Sequence, residues 1–266
     1  MLKRTIIVLA LCSFSELIFA QDRQFVETYQ STTLPQGVRD IEIWNTFSTG
    51  STIYYKGLLQ RLEFETGLTD HLQTSIYINI NTVATAANDT SAINTTTLVS
   101  VSSEWKLKLS NANTNAIGSA VYAELGISTQ EFELETKVIL DKNIGDEIFA
   151  LNLVNEFERE FGRTPAGAQN ENHPEVDFGY MHMIKPNLGI GLEFRENNTV
   201  SDNEGWEYST LFGGPTIFYS GKSSSLVFNV LPQIQNFHKT QYEPGNIVSG
   251  DYQRWEVRLL FSFNGL

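Results

Sequence analysis

Leu58-Leu59-Gln60-Arg61-Leu62-Glu63-Phe64-Glu65-Thr66 runs into Gly67-Leu68-Thr69-Asp70 and returns as Leu72-Gln73-Thr74-Ser75-Ile76-Tyr77-Ile78-Asn79-Ile80. In the returning arm Leu72, Thr74, Ile76, Ile78 and Ile80 share one parity, and Gln73, Ser75, Tyr77 and Asn79 share the other. The outgoing arm sets Leu58, Leu62 and Phe64 against Arg61, Glu63 and Glu65 in the same way. Side chains alternate across a strand, so a period of two gives one apolar and one polar face. Two such arms around a short polar turn predict a β-hairpin.

The unit recurs to the C-terminus. Alternating segments are expected over 39–47, 98–109, 117–127, 132–141, 148–158, 175–184, 188–195, 207–219, 224–234 and 255–263. With the hairpin these make about twelve strands and an all-β chain. The connections carry further information. Strands two and three, six and seven, eight and nine, and ten and eleven are joined by short turns at 66–70, 142–146, 185–187 and 220–223. Longer polar stretches are expected after strands three, seven, nine and eleven, as at 81–96, 159–174 and 235–250; the short link at 129–131 breaks the rule. In an antiparallel meander alternate connections lie at opposite ends, so one end is plain and the other elaborate. The pattern predicts a single antiparallel up-and-down transmembrane β-barrel over 38–266, with periplasmic turns and extracellular loops.

Periodicity alone does not say which face is inside. The charges do. Arg61, Glu63, Glu65, Glu104, Lys106, Lys108, Glu133, Glu135, Lys137, Glu193, Arg195, Glu256 and Arg258 all fall on polar faces, and the apolar faces carry very few. Trp105, Trp206, Tyr208, Tyr219, Trp255 and Phe263 gather near strand ends, as an interfacial aromatic girdle does. The charged set is therefore expected to face the lumen and the apolar set the lipid. With Asp40, Glu42, Glu124, Glu156 and Glu158 added to the acids and Arg254 to the bases, twelve acids face seven bases.

Residues 1–20 read as a secretory signal peptide: Lys3 and Arg4, an apolar run, then Ala20. That run is far shorter than the ~20 residues of a spanning helix. Residues 21–37 are polar and without a period, and are expected to form a periplasmic lead-in. The single cysteine, Cys12, falls in the signal peptide, so the exported chain holds no disulfide, thiolate site or cysteine nucleophile. The chain carries 18 Lys+Arg against 31 Asp+Glu. That balance argues against a nucleic-acid partner, because phosphate contacts need basic side chains.

Leu34-Pro35-Gln36-Gly37 followed by Glu42 and Trp44, then Glu65-Thr66-Gly67-Leu68-Thr69-Asp70-His71-Leu72-Gln73, then Glu133-Leu134-Glu135-Thr136-Lys137-Val138-Ile139-Leu140 also carry a resemblance. Together they resemble a family of uncharacterised bacterial outer-membrane β-barrel proteins, porin-like and without an assigned activity. The resemblance implies an exported barrel and supplies no catalytic residues. The C-terminal Phe261 and Phe263 resemble the signal read by the outer-membrane assembly machinery, which Asn264-Gly265-Leu266 overshoots.

No catalytic, cofactor or metal constellation is expected. His71, His173, His182 and His238 are scattered, with His71 in a turn and His173 and His238 in long loops, and none makes a short-spaced pair. His182 shares parity with Val176, Phe178 and Tyr180, but no serine motif accompanies it, so a lipid hydrolase is a remote alternative. Carboxylate pairs such as Glu133/Glu135 and Glu156/Glu158 share a face with Lys and Arg neighbours, which suits a charged lumen better than a glycosidase pair. The expected function is a narrow outer-membrane porin or channel for small hydrophilic solutes with a cation-preferring lumen. The alternative is a structural or binding barrel plugged by its own side chains, since about twelve strands leave a narrow bore.

Overall fold

The computed structural model describes residues 23–50, 54–86, 91–162, 169–241, 243–248 and 252–265. The expected signal peptide lies outside the described residues. Twelve strands follow in order: β1 (Arg39–Thr49), β2 (Tyr55–Gly67), β3 (Leu72–Thr85), β4 (Asn94–Ser110), β5 (Gly118–Ser128), β6 (Glu131–Ile144), β7 (Glu147–Glu160), β8 (Asn170–Lys185), β9 (Leu188–Ser201), β10 (Gly205–Ser220), β11 (Ser224–Asn236) and β12 (Trp255–Phe263). Each pairs antiparallel with the next, and β1 pairs with β12 to close the barrel. Closure removes the sheet edges that an open sheet would leave unpaired.

The β2–β3 hairpin sets the register. Phe64 faces Ile76 and Leu62 faces Ile78, while Glu65, Glu63 and Arg61 face Ser75, Tyr77 and Asn79. Its turn is tied by Leu68 and Thr69 N–H groups donating to the Leu72 carbonyl. Ile76 and Ile78 are 61% and 47% exposed, whereas Gln73, Ser75, Tyr77 and Asn79 are all buried. The same inversion recurs around the wall at Leu62, Val101, Leu125, Leu153, Ile190 and Ile217, all exposed. A barrel with an apolar outside and a polar inside is the reverse of a water-soluble one.

Most strands exceed the 9–11 residues that cross a bilayer. The excess projects at the end opposite the barrel's two termini. There the sequence reading needs correction. The ninth and tenth strands are joined by a three-residue turn, Asp202–Glu204, and not by a long loop. The polar stretch before it continues the ladder, with Asn198 opposite Ser209 and Ser201 opposite Gly205. Above a membrane a strand has no need of an apolar face, so its alternation fades while its backbone pairing persists. Gly205 takes the turn's left-handed position at φ +74°. β8 likewise starts at Asn170, so His173 stands on a strand.

The stretch expected as a lead-in has a defined place. Its residues 23–36 fold into the lumen at the plain end. Phe25, Val26, Tyr29 and Leu34 are almost wholly buried. Phe25 and Val26 pack with Trp44, Ile148, Ala150, Met181, Phe218, Val227 and Leu260. Tyr29 packs with Ala120, Tyr122 and Ile139. The apolar core of this protein is thus the N-terminal segment against the inner wall.

A plugged, acidic lumen as the candidate functional site

The N-terminal segment lacks secondary structure, so its backbone groups need partners from the wall. Glu193 on β9 supplies three of them. Its Oε1 accepts the Glu27 and Thr28 N–H groups at 2.8 and 2.9 Å, and the Thr28 hydroxyl at 3.2 Å. Its Oε2 accepts Val26 N–H at 3.4 Å and the Asn229 side-chain amide at 2.7 Å. Three successive N–H groups around one buried carboxylate satisfy both the backbone and the charge. Asn152 closes a two-way bond with Tyr29, receiving its N–H at 2.6 Å and donating to its carbonyl at 2.9 Å. Gln73 accepts Leu34 N–H at 2.9 Å, and Asp70 accepts Gln36 N–H at 3.1 Å.

The wall is also cut to shape. A Cβ on Gly179 would stand 2.7 Å from the Phe25 ring, and one on Gly67 would stand 2.2 Å from the Pro35 carbonyl oxygen. Glycine is needed at both because another backbone or ring passes at contact distance. Tyr29 reaches the middle of the lumen. Burial holds its phenol well above the ordinary range, so it stays neutral. Arg23 and Lys137 lie over its ring at 3.7 and 4.3 Å, and Arg23 also covers Trp44 at 4.4 Å.

Above the segment lies a layer of paired charges. Arg61 donates to Glu124 at 2.5 Å and to Asn79 at 3.0 Å. Lys137 pairs with Glu135 at 3.1 Å. Arg195 joins Glu175 at 2.6 Å and Glu256 at 3.4 Å. Arg258 joins Glu256 at 2.6 Å and, at 3.0 Å, Glu27 of the segment itself. Tyr77 donates its hydroxyl to Glu104.

Beyond this layer the lumen opens. A cavity of about 420 Å³ runs from Glu27 and Trp44 up to Tyr55, Val83 and His173 near the far rim. A neighbouring hollow is lined by Arg61, Glu124, Glu131, Glu133, Glu135 and Glu156. Here the acids outnumber the bases. His173 Nε2 stands 3.7 Å from Glu158 and 3.6 Å from Glu171. Glu156, Glu158 and His173 bring ligand-type atoms within 4.8 Å of one another, a grouping their sequence spacing does not suggest.

Of the charged residues read from parity, Glu63, Glu65, Glu104, Lys106, Lys137, Glu193, Glu256 and Arg258 are buried, and Arg61, Lys108, Glu133, Glu135 and Arg195 are half-buried. Arg254 is exposed and stands just ahead of β12. Asp141, Glu175 and Asp177 are buried too; their parity carried the signal. Nothing in the composition of 23–36 marked it as a lumen segment. His182 sits on the outer face, bonded through Nδ1 to Glu147 at 2.9 Å, with the Tyr180 hydroxyl on the same carboxylate at 2.7 Å.

Solved structures share this architecture. The COG4313 outer-membrane channel from Pseudomonas putida aligns with a TM-score of 0.69 at 12% identity, over 90% of this chain and all of that one. The NanC porin aligns at 0.53 and 12% identity, over 84% and 98% of the two chains. The beta domain of the Bordetella autotransporter Brka aligns at 0.54 and 9% identity, over 86% and 99%. The fold is that of bacterial outer-membrane barrels. No curated protein matches the sequence. A family signature spans residues 17–264, and the chain accordingly belongs to a family of unknown function (DUF6662).

Proposed function

We propose that the protein is a narrow, cation-preferring outer-membrane channel for small hydrophilic solutes, constricted at its periplasmic end by residues 23–36. The exposed apolar belt is covered by outer-membrane lipid, and the short turns lie in the periplasm. The observation that carries the reading is the far cavity. It is lined by Glu135, Glu156, Glu158, Glu175 and His173, and the neighbouring hollow adds Glu131 and Glu133. Acidic rings in a narrow low-dielectric wall concentrate cations. The N-terminal segment supports a second reading, a barrel closed by its own chain, because its contacts fill the plain end.

Planar-bilayer recording under a salt gradient tests both. A small conductance with a cation-selective reversal potential is expected, increased in a Glu193→Gln variant that loosens the segment. An anion-selective reversal potential overturns the charge assignment. Silence in both proteins overturns the channel and leaves the closed barrel.

A further inference from the structure

Beneath Trp44, three carboxylates from neighbouring strands converge. Glu42 on β1 pairs directly with Glu63 on β2, and Glu65 follows two residues later on the same face. Each contributes an oxygen to a set lying within 4.8 Å of one another, and all three side chains are buried. Each is also held by a neutral donor. Ser262 donates to Glu42 Oε1 at 2.6 Å, the Trp44 indole to Glu63 Oε2 at 3.0 Å, and Gln73 to Glu65 Oε1 at 3.0 Å. These donors fix orientation without neutralising charge. Glu63 is fully buried, yet its Oε1 accepts no hydrogen bond among the described residues. Glu42 Oε2 accepts none either and meets the Arg23 guanidinium only at 3.6 Å. Arg23 at that distance, with Lys106 also acting on Glu65, does not balance three buried carboxylates, and unbalanced buried charge is strongly disfavoured.

We propose that Glu42, Glu63 and Glu65 hold a hard divalent cation of calcium size. The ligand set is oxygen only, which selects calcium-like ions over softer metals. Ligand oxygens about 2.3–2.6 Å from a calcium ion stand up to roughly 5 Å apart across it, which the cluster matches. Neutral donors on the outer oxygens are the orienting contacts such a site requires. The site is separate from the acidic cavity and does not depend on whether the lumen conducts. It is joined to the N-terminal segment, because Gln73 bonds Glu65 on one side and accepts Leu34 N–H on the other.

The test uses the full mature protein, folded in detergent and stripped with EDTA. Terbium is added as the probe, exciting indole, since Trp44 touches the site. Sensitised terbium emission that calcium displaces is expected. Glu63→Gln and Glu65→Gln should each weaken calcium binding by about 10–100-fold or more, while Glu147→Gln on the outer face leaves it unchanged. Trp44→Phe should remove the sensitised emission while calorimetry still reports calcium. If the stripped wild-type protein, shown folded by heat-modifiable migration, binds no calcium, the site is overturned and the carboxylates share protons instead. Calcium binding that survives Glu63→Gln at wild-type strength, or terbium emission that survives Trp44→Phe, overturns it equally. Should a variant fail to fold, the wild-type and Trp44→Phe readouts decide.

Discussion

Glu193, buried in the wall of β9, holds Thr28 of the N-terminal segment by both its N–H, at 2.9 Å, and its hydroxyl, at 3.2 Å, across 165 residues of chain. A carboxylate buried without a basic partner is costly unless donors surround it. Here the donors belong to a segment with no secondary structure of its own. Carboxylate and segment therefore stabilise each other.

Glu193→Gln tests that dependence. Every contact of this carboxylate is with a donor, so the amide –NH₂ opposes one whichever way it turns. The loss should be about 2–4 kcal/mol of segment docking, given the strength of hydrogen bonds to charged groups and the cost of stranded donors. The barrel itself should still close. Val26→Cys, in a chain whose own single cysteine is Cys12, reports the change, reacting slowly with a water-soluble maleimide and faster once Glu193→Gln is added. Equal labelling rates would mean that the segment is held elsewhere.

A second test addresses the fit of the wall. Gly179→Val places methyl groups where the Phe25 ring lies, since even a Cβ would stand 2.7 Å from it. Overpacking of this kind costs about 1–3 kcal/mol. Phe25→Ala in the same chain should recover part of the loss, giving a favourable coupling in a double-mutant cycle. Denaturant midpoints of the four proteins measure it. Simple additivity would show that the two positions do not meet.

The barrel wall was legible because alternation, turn chemistry and charge placement agree over long stretches, as in Arg61, Glu63 and Glu65 against Leu62 and Phe64. The segment at 23–36 was not, because a chain bonded to a wall in an irregular path leaves no period. One trace of it does exist. At the plain ends of several strands alternation fails: Ile148-Phe149-Ala150-Leu151, Ile217-Phe218-Tyr219, Leu226-Val227-Phe228 and Leu259-Leu260-Phe261 are apolar on both parities. Outward residues there continue the exposed apolar belt, and inward ones such as Ala150, Phe218, Val227 and Leu260 seat Phe25 and Val26. The far ends were misread for the opposite reason. Polar residues such as Asn197 and Asn198 looked like loop, although their backbones remain in the ladder.

The outer face yields a third prediction. Ile76 is the most exposed apolar residue of its hairpin and pairs with Phe64 on the same surface. Ile76→Arg should destabilise the barrel by about 2–4 kcal/mol if that position lies near the bilayer midplane. Cysteines at Ile76 and Leu259 should react with a lipid-soluble reagent, and cysteines at Glu65 and Glu135 should not. Reversed labelling would mean that the exposed apolar belt does not face lipid.

The last prediction concerns ion preference. In the middle layer Arg61, Lys137, Arg195 and Arg258 are each paired with acids, so that layer contributes little net field. The preference should instead come from the far cavity, where Glu133 and Glu158 have no guanidinium or ammonium partner among the described residues. Replacing both by Lys reverses the local charge without touching the segment or the paired layer. The reversal potential under a salt gradient should then move from the cation side towards zero or beyond. The wild-type preference should also shrink as salt rises, because the Debye length falls from ~10 Å at 0.1 M to ~3 Å at 1 M. Fixed charges on opposite walls then cease to overlap in the bore. A reversal potential unmoved by the double replacement would place the selective step lower, where Arg258 of the wall pairs with Glu27 of the N-terminal segment.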